Sequence, residues 1–455
     1  MTFIRKIKKK SGTYLAEVES YRQGGKVKQR VIKYLGKDIN GIISRRTSTA
    51  EISLKNVKQS LDILCIDKIA DELRLKSIKD KNILALVYSQ LLEKRSISKL
   101  EEWLRFTEIP EVLGLKNIST VKLYNALTSL SDLDFKRVED DLSEFFRSKE
   151  ESNNTAIIDV TDTYFEGSSI NVKPRRGKDG KIKRLMQFAL AVTLENGFPL
   201  FYKKYPGNLS GIQIFKDMNL ELKEKGLDSV IVDRGMTSEE NLKIILNLKM
   251  KVIAGLRNNP NITKNFISTI ERDDIFSPEN RVKLKTTSVY IKPFDYMNGK
   301  LIVVYNPQLE ILKKEHAFEN DIFDKEKKYG YSLIYHNTSL KDRDVVRKYY
   351  EKDIVEKAFK QLKGILGLRP VRVWLNEHIE GHFRICFLAY AILSYMDFKL
   401  KRVGISAVEA LSSLKYGYKV GLKDSLNEHE WDLWVPSEPK QKKIIETIGV
   451  VYKNQ

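Results

Sequence analysis

Hydrophobic and polar positions change period several times along this chain, and the changes divide it. Residues 2 to 35 alternate in strand fashion, punctuated by Lys10-Ser11-Gly12 and Gly24-Gly25. That predicts a basic three-stranded meander, followed by a polar connector over about 38 to 55. From 56 to 150 the period turns helical, with helices expected over 56–75, 80–96, 98–107, 119–131 and 133–148. Pro110 and Gly114 break that run, and Ser119 suits a helix N-cap. At Thr155 the period shifts again. AIIDV reads as a short buried strand, and LMQFALAVTLENGFPLFYKKY as two strands about an Asn196-Gly197 turn. SVIVD and KVIAGL read as buried strands behind helices at 211–225 and 237–248. Three strands ahead of the first helix, then alternation, describe an α/β core.

Residues 258–340 return to short alternating strands (VKLKTTSVYIKPF, KLIVVYN, GYSLIYHN), so a β-rich insertion is expected to interrupt that core. One helix over 343–365 resumes it. Helices over 377–400 and 405–414 and a tail closing on Trp431 and Trp434 follow. The expected layout is multidomain α/β. It comprises a basic meander and linker (1–55), a helical region (56–150), a first core part (151–257), a β-rich insertion (258–340), a second core part (341–400) and a helical C-terminal region (401–455).

Charge narrows the partner. Lys and Arg total 80 against 60 Asp and Glu, a formal +20. Such a surplus points to a polyanion, nucleic acid first, and makes the 56–150 helices a candidate DNA-binding region. A helical scaffold is the other reading. A membrane partner fits poorly, because no basic amphipathic anchor stands out and the longest greasy run, Phe387 to Leu393, is too short to span a bilayer. Cys65 and Cys386 sit in apolar helical patterns, and MTFIRKIKKKSG lacks a signal-peptide core. A cytoplasmic, nucleoid-associated location is expected.

The candidate chemistry lies in carboxylates. Asp159 in IIDVTDT and Asp233 in VIVDRG each stop an apolar strand, and such strand ends face the functional crevice of open α/β sheets. On the 343–365 helix, at 100° per residue, Tyr349, Lys352, Glu356 and Lys363 fall within roughly 60° of one another, opposite the apolar Val355, Ala358, Phe359 and Leu362. A carboxylate set among two lysines and a hydroxyl suits a cation beside a phosphate. Three carboxylates can hold two divalent cations roughly 3.5–4 Å apart, the geometry of in-line phosphoryl transfer. Hard oxygen ligands favour Mg²⁺ or Mn²⁺ over zinc. No His-Cys cluster supports zinc, and His378 and His382 lack an obvious third ligand. Asp162 is the rival to Asp159; Glu351 and Glu380 are rivals to Glu356. Arg234 can contact phosphate or pair with a carboxylate. The loop KPRRGKDGKIKR sets Arg175, Arg176, Lys178 and Arg184 beside the presumed site, where they suit a DNA backbone.

At these residues the chain resembles DDE-type transposases of bacterial insertion sequences. More narrowly it resembles the subgroup with a Tyr-x2-Arg-x3-Glu-x6-Lys (YREK) signature and a β-rich insertion in an RNase H-like core. Tyr349, Lys352, Glu356 and Lys363 match every spacing, with lysine standing for arginine at 352. That keeps the charge and loses the bidentate fork. YPGNLSG, GLRPVRVW and HIEGHFRICFLAY resemble further segments of the subgroup, and the amino-terminal meander resembles such proteins less specifically. The resemblance implies Asp159, Asp233 and Glu356 as catalytic ligands of two Mg²⁺ (or Mn²⁺) ions, with Tyr349, Lys352 and Lys363 on the terminal phosphates. It implies cleavage at transposon ends and 3′-OH strand transfer, acting on double-stranded DNA with terminal inverted repeats and on target DNA, by a homodimer bridging two ends. In related enzymes an aromatic residue of the insertion stacks on a flipped base; Tyr290, Phe294, Tyr296 and Tyr305 are candidates and none is assigned. The alternatives are an RNase H-like nuclease without strand transfer and a catalytically inactive DNA-binding protein derived from a transposase, whose expected mark is a broken triad.

Overall fold

The computed structural model describes residues 2–10, 12–39, 42–44, 52–152, 154–165, 174–176, 182–257, 260–320, 322–323, 328–371, 373, 375–424, 430–435 and 438–451. The chain divides into two compact units. In the first, β1 (Thr2–Lys9), β2 (Gly12–Gln23), β3 (Lys26–Ile39) and β4 (Ile42–Ser44) form an antiparallel sheet in chain order. Gly24 and Gly25 both take positive φ, 60° and 77°, as a two-residue primed hairpin turn requires. The expected meander is present with a fourth strand added. A polar connector and the start of a helix were expected next; instead β5 (Ile52–Gln59) joins a second sheet with a C-terminal hairpin. Its residues ISLKNVKQ are mostly exposed, so no apolar alternation marks them as a strand.

The second unit runs from Gln59 to Tyr416 and closes with the last helix. It opens with α1 (Leu61–Glu72), α2 (Lys81–Leu92), α3 (Leu100–Leu104), α4 (Ile109–Val112), α5 (Thr120–Ser129) and α6 (Asp132–Arg147). Asp80, Ser119 and Ser131 cap α2, α5 and α6 by accepting from backbone N–H groups of the first turn. The core sheet then builds from β6 (Thr155–Phe165), β7 (Pro174–Arg176), β8 (Ile182–Thr193), β9 (Pro199–Pro206), α7 (Gly211–Glu224), β10 (Ser229–Val232), α8 (Glu239–Asn247) and β11 (Lys251–Leu256). β6, β10 and β11 are parallel neighbours, β8 runs antiparallel to β6, and β9 and the short β7 share the outer edge of β8.

Short helices α9 (Pro260–Ile262) and α10 (Arg272–Ile275) lead to β12 (Arg281–Lys283), β13 (Ser288–Tyr296), β14 (Gly299–Tyr305), α11 (Pro307–Glu319) and β15 (Tyr331–His336). Hydropathy assigns these strands to a separate block, but they form no sheet of their own. β15 pairs antiparallel with β11, and β14, β13 and β12 continue outward in one ten-stranded sheet. The backbone groups on the outer edge of β11, a liability if left open, are thereby satisfied. Tyr305 is buried, and Tyr290, Phe294 and Tyr296 pack on the same core, so all four aromatic candidates serve packing.

The single helix expected over 343–365 is three pieces: α12 (Asp342–Tyr350), α13 (Asp353–Lys360) and a π-helical turn Gln361–Ile365. After it come α14 (Asn376–Leu400), α15 (Ala407–Leu414), the hairpin β16 (Tyr418–Asp424) and β17 (Glu430–Val435), and α16 (Pro439–Ile448). The hairpin corrects the expectation of a purely helical C-terminal region.

One face of the core sheet, with Ala156, Ile158, Val230, Val232, Val252 and Ala254, packs against α7 and α8. By the period of two, Ile157, Asp159 and Ile231 point the other way, towards the side taken by α6, α13 and α14. Seventeen of the 25 residues of α14 are buried, which makes it a core helix rather than a surface one. α1, α2 and α5 pack on it. At Gly381 a Cβ would come within 2.1 Å of the Leu127 carbonyl, so glycine permits the crossing of α5. The 56–150 helices thus spend much of their apolar surface on α14.

Candidate active site

Parallel pairing of β10 with β6 sets Val232 opposite Ile158. The next residues, Asp233 and Asp159, therefore leave neighbouring strands at one height, where strands lie roughly 4.8 Å apart. Asp159 does not end its strand, contrary to the sequence expectation. β6 continues to Phe165 on the β8 ladder, and Asp159 marks the point where β10 stops pairing. Its carboxylate accepts from the Val160 N–H at 2.7 Å. Thr163, on the same strand face as Asp159, donates to the Leu368 carbonyl at 2.8 Å, just beyond the π-helical turn. Asp162 falls on the opposite face, with Ile158 and Val160, so strand parity favours Asp159 over its rival.

Asp233 is met by the signature segment. The Tyr349 hydroxyl donates to Asp233 Oδ1 at 3.2 Å, and the Lys352 ammonium donates to the same oxygen. Lys352 Nζ lies 3.3 Å from the Tyr349 hydroxyl and 4.7 Å from its ring centroid. The break after Tyr350 does not separate the pair, because three residues of helical or near-helical backbone still return to one side. Behind Asp233, the Met236 N–H and the Thr237 hydroxyl donate to its carbonyl at 3.0 and 3.2 Å, and Arg257 donates to the Gly235 carbonyl at 3.2 Å. This loop is built, not merely a strand end.

Burial alone would raise the Asp233 carboxyl. The Lys352 ammonium, by hydrogen bond and charge, reverses that with help from the Arg234 N–H and the Tyr349 hydroxyl, and holds it below the usual carboxylate range. Burial and then the Asp233 charge push the Tyr349 phenol upward, so it stays a protonated donor.

α13 packs against β6 and carries Glu356, which is exposed, while Val355, Ala358 and Phe359 are buried. Ile354 sits over the β8–β9 turn: a Cβ on Gly197, at φ +69°, would come within 2.9 Å of Ile354 Cγ1. The Tyr390 hydroxyl donates to the Gly197 carbonyl at 2.7 Å. The start of α12 is fixed separately, by His336 Nε2 and Lys300 Nζ at 3.1 and 3.3 Å from Asp342.

For a divalent cation the donor chemistry fits: hard carboxylates on two adjacent strands, and a third on a helix packed against one of them. Among the described residues no three His, Cys, Asp or Glu side chains stand close enough to cage an ion. Asp233 Oδ1 is engaged by Lys352 and Tyr349 instead. Lys363 is not with them. Its ammonium lies 5.7 Å from the Phe359 ring centroid and lines a cavity with Lys94 and Arg369. Arg234 is exposed, and Arg184 pairs in the β7–β8 and β6–β8 ladders. Arg175 and Arg176 are described in backbone only, in β7, and Lys178 lies outside the described residues.

Gly255 escaped the sequence reading. A Cβ there would come within 2.2 Å of the Tyr349 hydroxyl and 3.0 Å of the Arg234 nitrogen, so the bare backbone of β11 is what lets Tyr349 reach Asp233. A glycine inside the apolar run KVIAGL was the available signal for such a close approach.

Compared with known proteins, residues 151–392, more than half of the chain, match the family profile described as a transposase DDE domain. Residues 4–38 match the profile of the IS1634 family transposase N-terminal domain. No curated protein sequence matches. Among solved structures, a piggyBac transposase synaptic complex with hairpin DNA aligns over 82% of this chain and 82% of that one, at 11% identity and a TM-score of 0.44. Among the described residues no helix is long and apolar enough to cross a membrane.

Proposed function

The chain belongs to the transposase DDE-domain family, and from that premise we propose a DNA transposase that cleaves at the ends of its element and joins the freed 3′-OH to target DNA. The observation that carries the reading is the pairing of Val232 with Ile158, which brings Asp159 and Asp233 side by side on the sheet face shared with the signature segment. The strand order β9-β8-β6-β10-β11, with three antiparallel strands and two parallel additions, supports an RNase H-like core.

Asp159, Asp233 and Glu356 are the proposed holders of two Mg²⁺ or Mn²⁺ ions. When bound, such cations supply charge neutralisation and Lewis acidity at a scissile phosphate. The chain's own contribution is placement. Strand register sets two carboxylates on adjacent strands, Glu356 would come to them from α13, which packs on β6, and Tyr349 and Lys352 would offer a hydroxyl and an ammonium to a phosphate oxygen. Arg234, together with Arg175, Arg176, Lys178 and Arg184 of the basic run, is the proposed contact to the DNA backbone. Action on paired inverted repeats would bring two copies of the chain together.

A strand-transfer assay tests this. A pre-cleaved end carrying the inverted repeat that flanks the gene, with its 3′-OH exposed, should be joined to plasmid DNA in Mg²⁺. Cleavage of intact ends without joining would instead identify a nuclease, and duplex binding with neither reaction a catalytically inactive descendant.

A further inference from the structure

α12 is tied to the core sheet through its first residue. Asp342 Oδ1 accepts from His336 Nε2 at 3.1 Å, and Asp342 Oδ2 from Lys300 Nζ at 3.3 Å. Both donors come from neighbouring strands, for Lys300 of β14 stands directly across from His336 of β15 in the ladder. His336 is only 2% exposed, and its Nδ1 lies 3.1 Å from the Thr338 hydroxyl, so each ring nitrogen has a partner. Desolvation holds the imidazole below its usual range despite the carboxylate, so at neutral pH the ring is a neutral donor. The link between strand and helix is latched as well. The Val252 N–H donates to Asn337 Oδ1 at 2.7 Å, and Asn337 Nδ2 donates to the Met250 carbonyl at 2.9 Å.

These contacts do more than start a helix. Lys341, at the N-cap, makes no side-chain capping bond, and Asp344 already gives the first turn an acidic group, paired with Arg347 at 2.8 Å. Two strand donors on Asp342 add a fixed place for the helix against the sheet. α12 needs one, because the helix breaks after Tyr350 and the packing of α13 on β6 does not set its roll. Asp342 and Tyr349 are seven residues apart, within about 20° of two full turns, so they share a side of α12 roughly 10 Å apart. Val345 and Val346 are buried between them. At the far end room is tight, since Tyr349 reaches Asp233 only past the bare backbone of Gly255.

We infer that His336 is a positioning residue for the signature segment: through Asp342 it sets the height and roll of α12, and so holds the Tyr349 hydroxyl on Asp233. This rests on the reading of the chain as a DNA transposase. A slip or roll of α12 by about an ångström breaks a hydrogen bond of 3.2 Å or drives the phenol into β11. Misplacement on that scale costs a reaction about a hundredfold when it falls on the groups around the reacting atoms. Lys300 joins the clamp from a half-exposed position, where an ion pair contributes little. His336, buried and held at both nitrogens, supplies the direction.

The test pairs single-turnover cleavage, at saturating duplex carrying the flanking inverted repeat in Mg²⁺, with thermal melts of the DNA-free full chain. Asp342→Ala and His336→Leu should each slow cleavage about a hundredfold and leave duplex binding within about twofold. His336→Gln, whose amide nitrogen stands where the ring Nε2 stood, should recover the rate to within about fivefold. Combining Asp342→Ala with Tyr349→Phe should slow cleavage no further than the slower of the two alone. The melting shift of that double variant should be smaller than the sum of the single shifts, because independent sites add and coupled ones do not. Full-rate cleavage by a folded Asp342→Ala chain, rate losses that multiply in the double variant, or a His336→Gln chain as slow as His336→Leu overturns the positioning role. If the unmodified chain cleaves no end, the transposase reading falls instead, and the melts alone judge the clamp: additive shifts overturn it and sub-additive shifts uphold it.

Discussion

Lys352 donates to Asp233 Oδ1, on the carboxylate proposed as a cation ligand. An ammonium and a divalent cation would compete for that carboxylate, so the lysine both holds it ionised and would obstruct a cation. Substituting Lys352→Ala should tighten Mn²⁺ binding to the DNA-free protein several-fold, since even a partly screened charge pair is worth about 1 kcal/mol or more. The same change should weaken binding to DNA ends. Isothermal titration with Mn²⁺ checks the first effect, and an unchanged affinity would show that Asp233 is not a ligand. Lys352→Arg, which restores the subgroup's residue, should remain active.

Gly255 is tied to Tyr349 by space. Replacing Gly255 with Ala sets a Cβ 2.2 Å from the tyrosine hydroxyl. We expect a destabilisation of about 1–3 kcal/mol and a loss of end cleavage, as for other overpacked sites. Removing the hydroxyl in the double variant Gly255→Ala/Tyr349→Phe should recover part of the stability. Denaturant melts measure both, and a lack of coupling between the two positions would contradict the contact.

Asp62 in α1 is buried, and desolvation pushes its carboxyl up to about 7 despite hydrogen bonds from Gln59 and the Ile63 N–H. Its folded value lies above its unfolded one. Its contribution is therefore fully present below about pH 4 and is lost as pH rises through 7. Asp62→Asn should gain on the order of 3 kcal/mol over the parent at pH 8 and little at pH 4. Thermal melts across that window check this. A gain that does not depend on pH would contradict the assignment.

Much of the candidate site was legible in the sequence because short apolar runs lead into both aspartates, although only β10 stops there and β6 runs on past Asp159. IIDV and VIVD gave both aspartates, and the spacing from Tyr349 to Glu356 gave the signature segment. Partnership was harder to read. Alternation over 281–336 marks strands without saying that β15 closes on β11, and β5 meets a hairpin more than 350 residues away through an exposed, weakly patterned strand. The helical wheel also assumed one continuous helix. The break after Tyr350 and the π-helical turn carry Lys363 to a different cavity, although Tyr349 and Lys352 still meet.

We propose that Asp159, Asp233 and Glu356 act as one carboxylate set. The most direct measurement is Mg²⁺-dependent cleavage of duplex DNA carrying the flanking inverted repeat, run beside duplex binding, for Asp159→Asn, Asp233→Asn and Glu356→Gln. Each variant should lose cleavage by about a thousandfold or more while end binding stays within about twofold. Retained cleavage in any one of the three, with the protein folded, would contradict the claim.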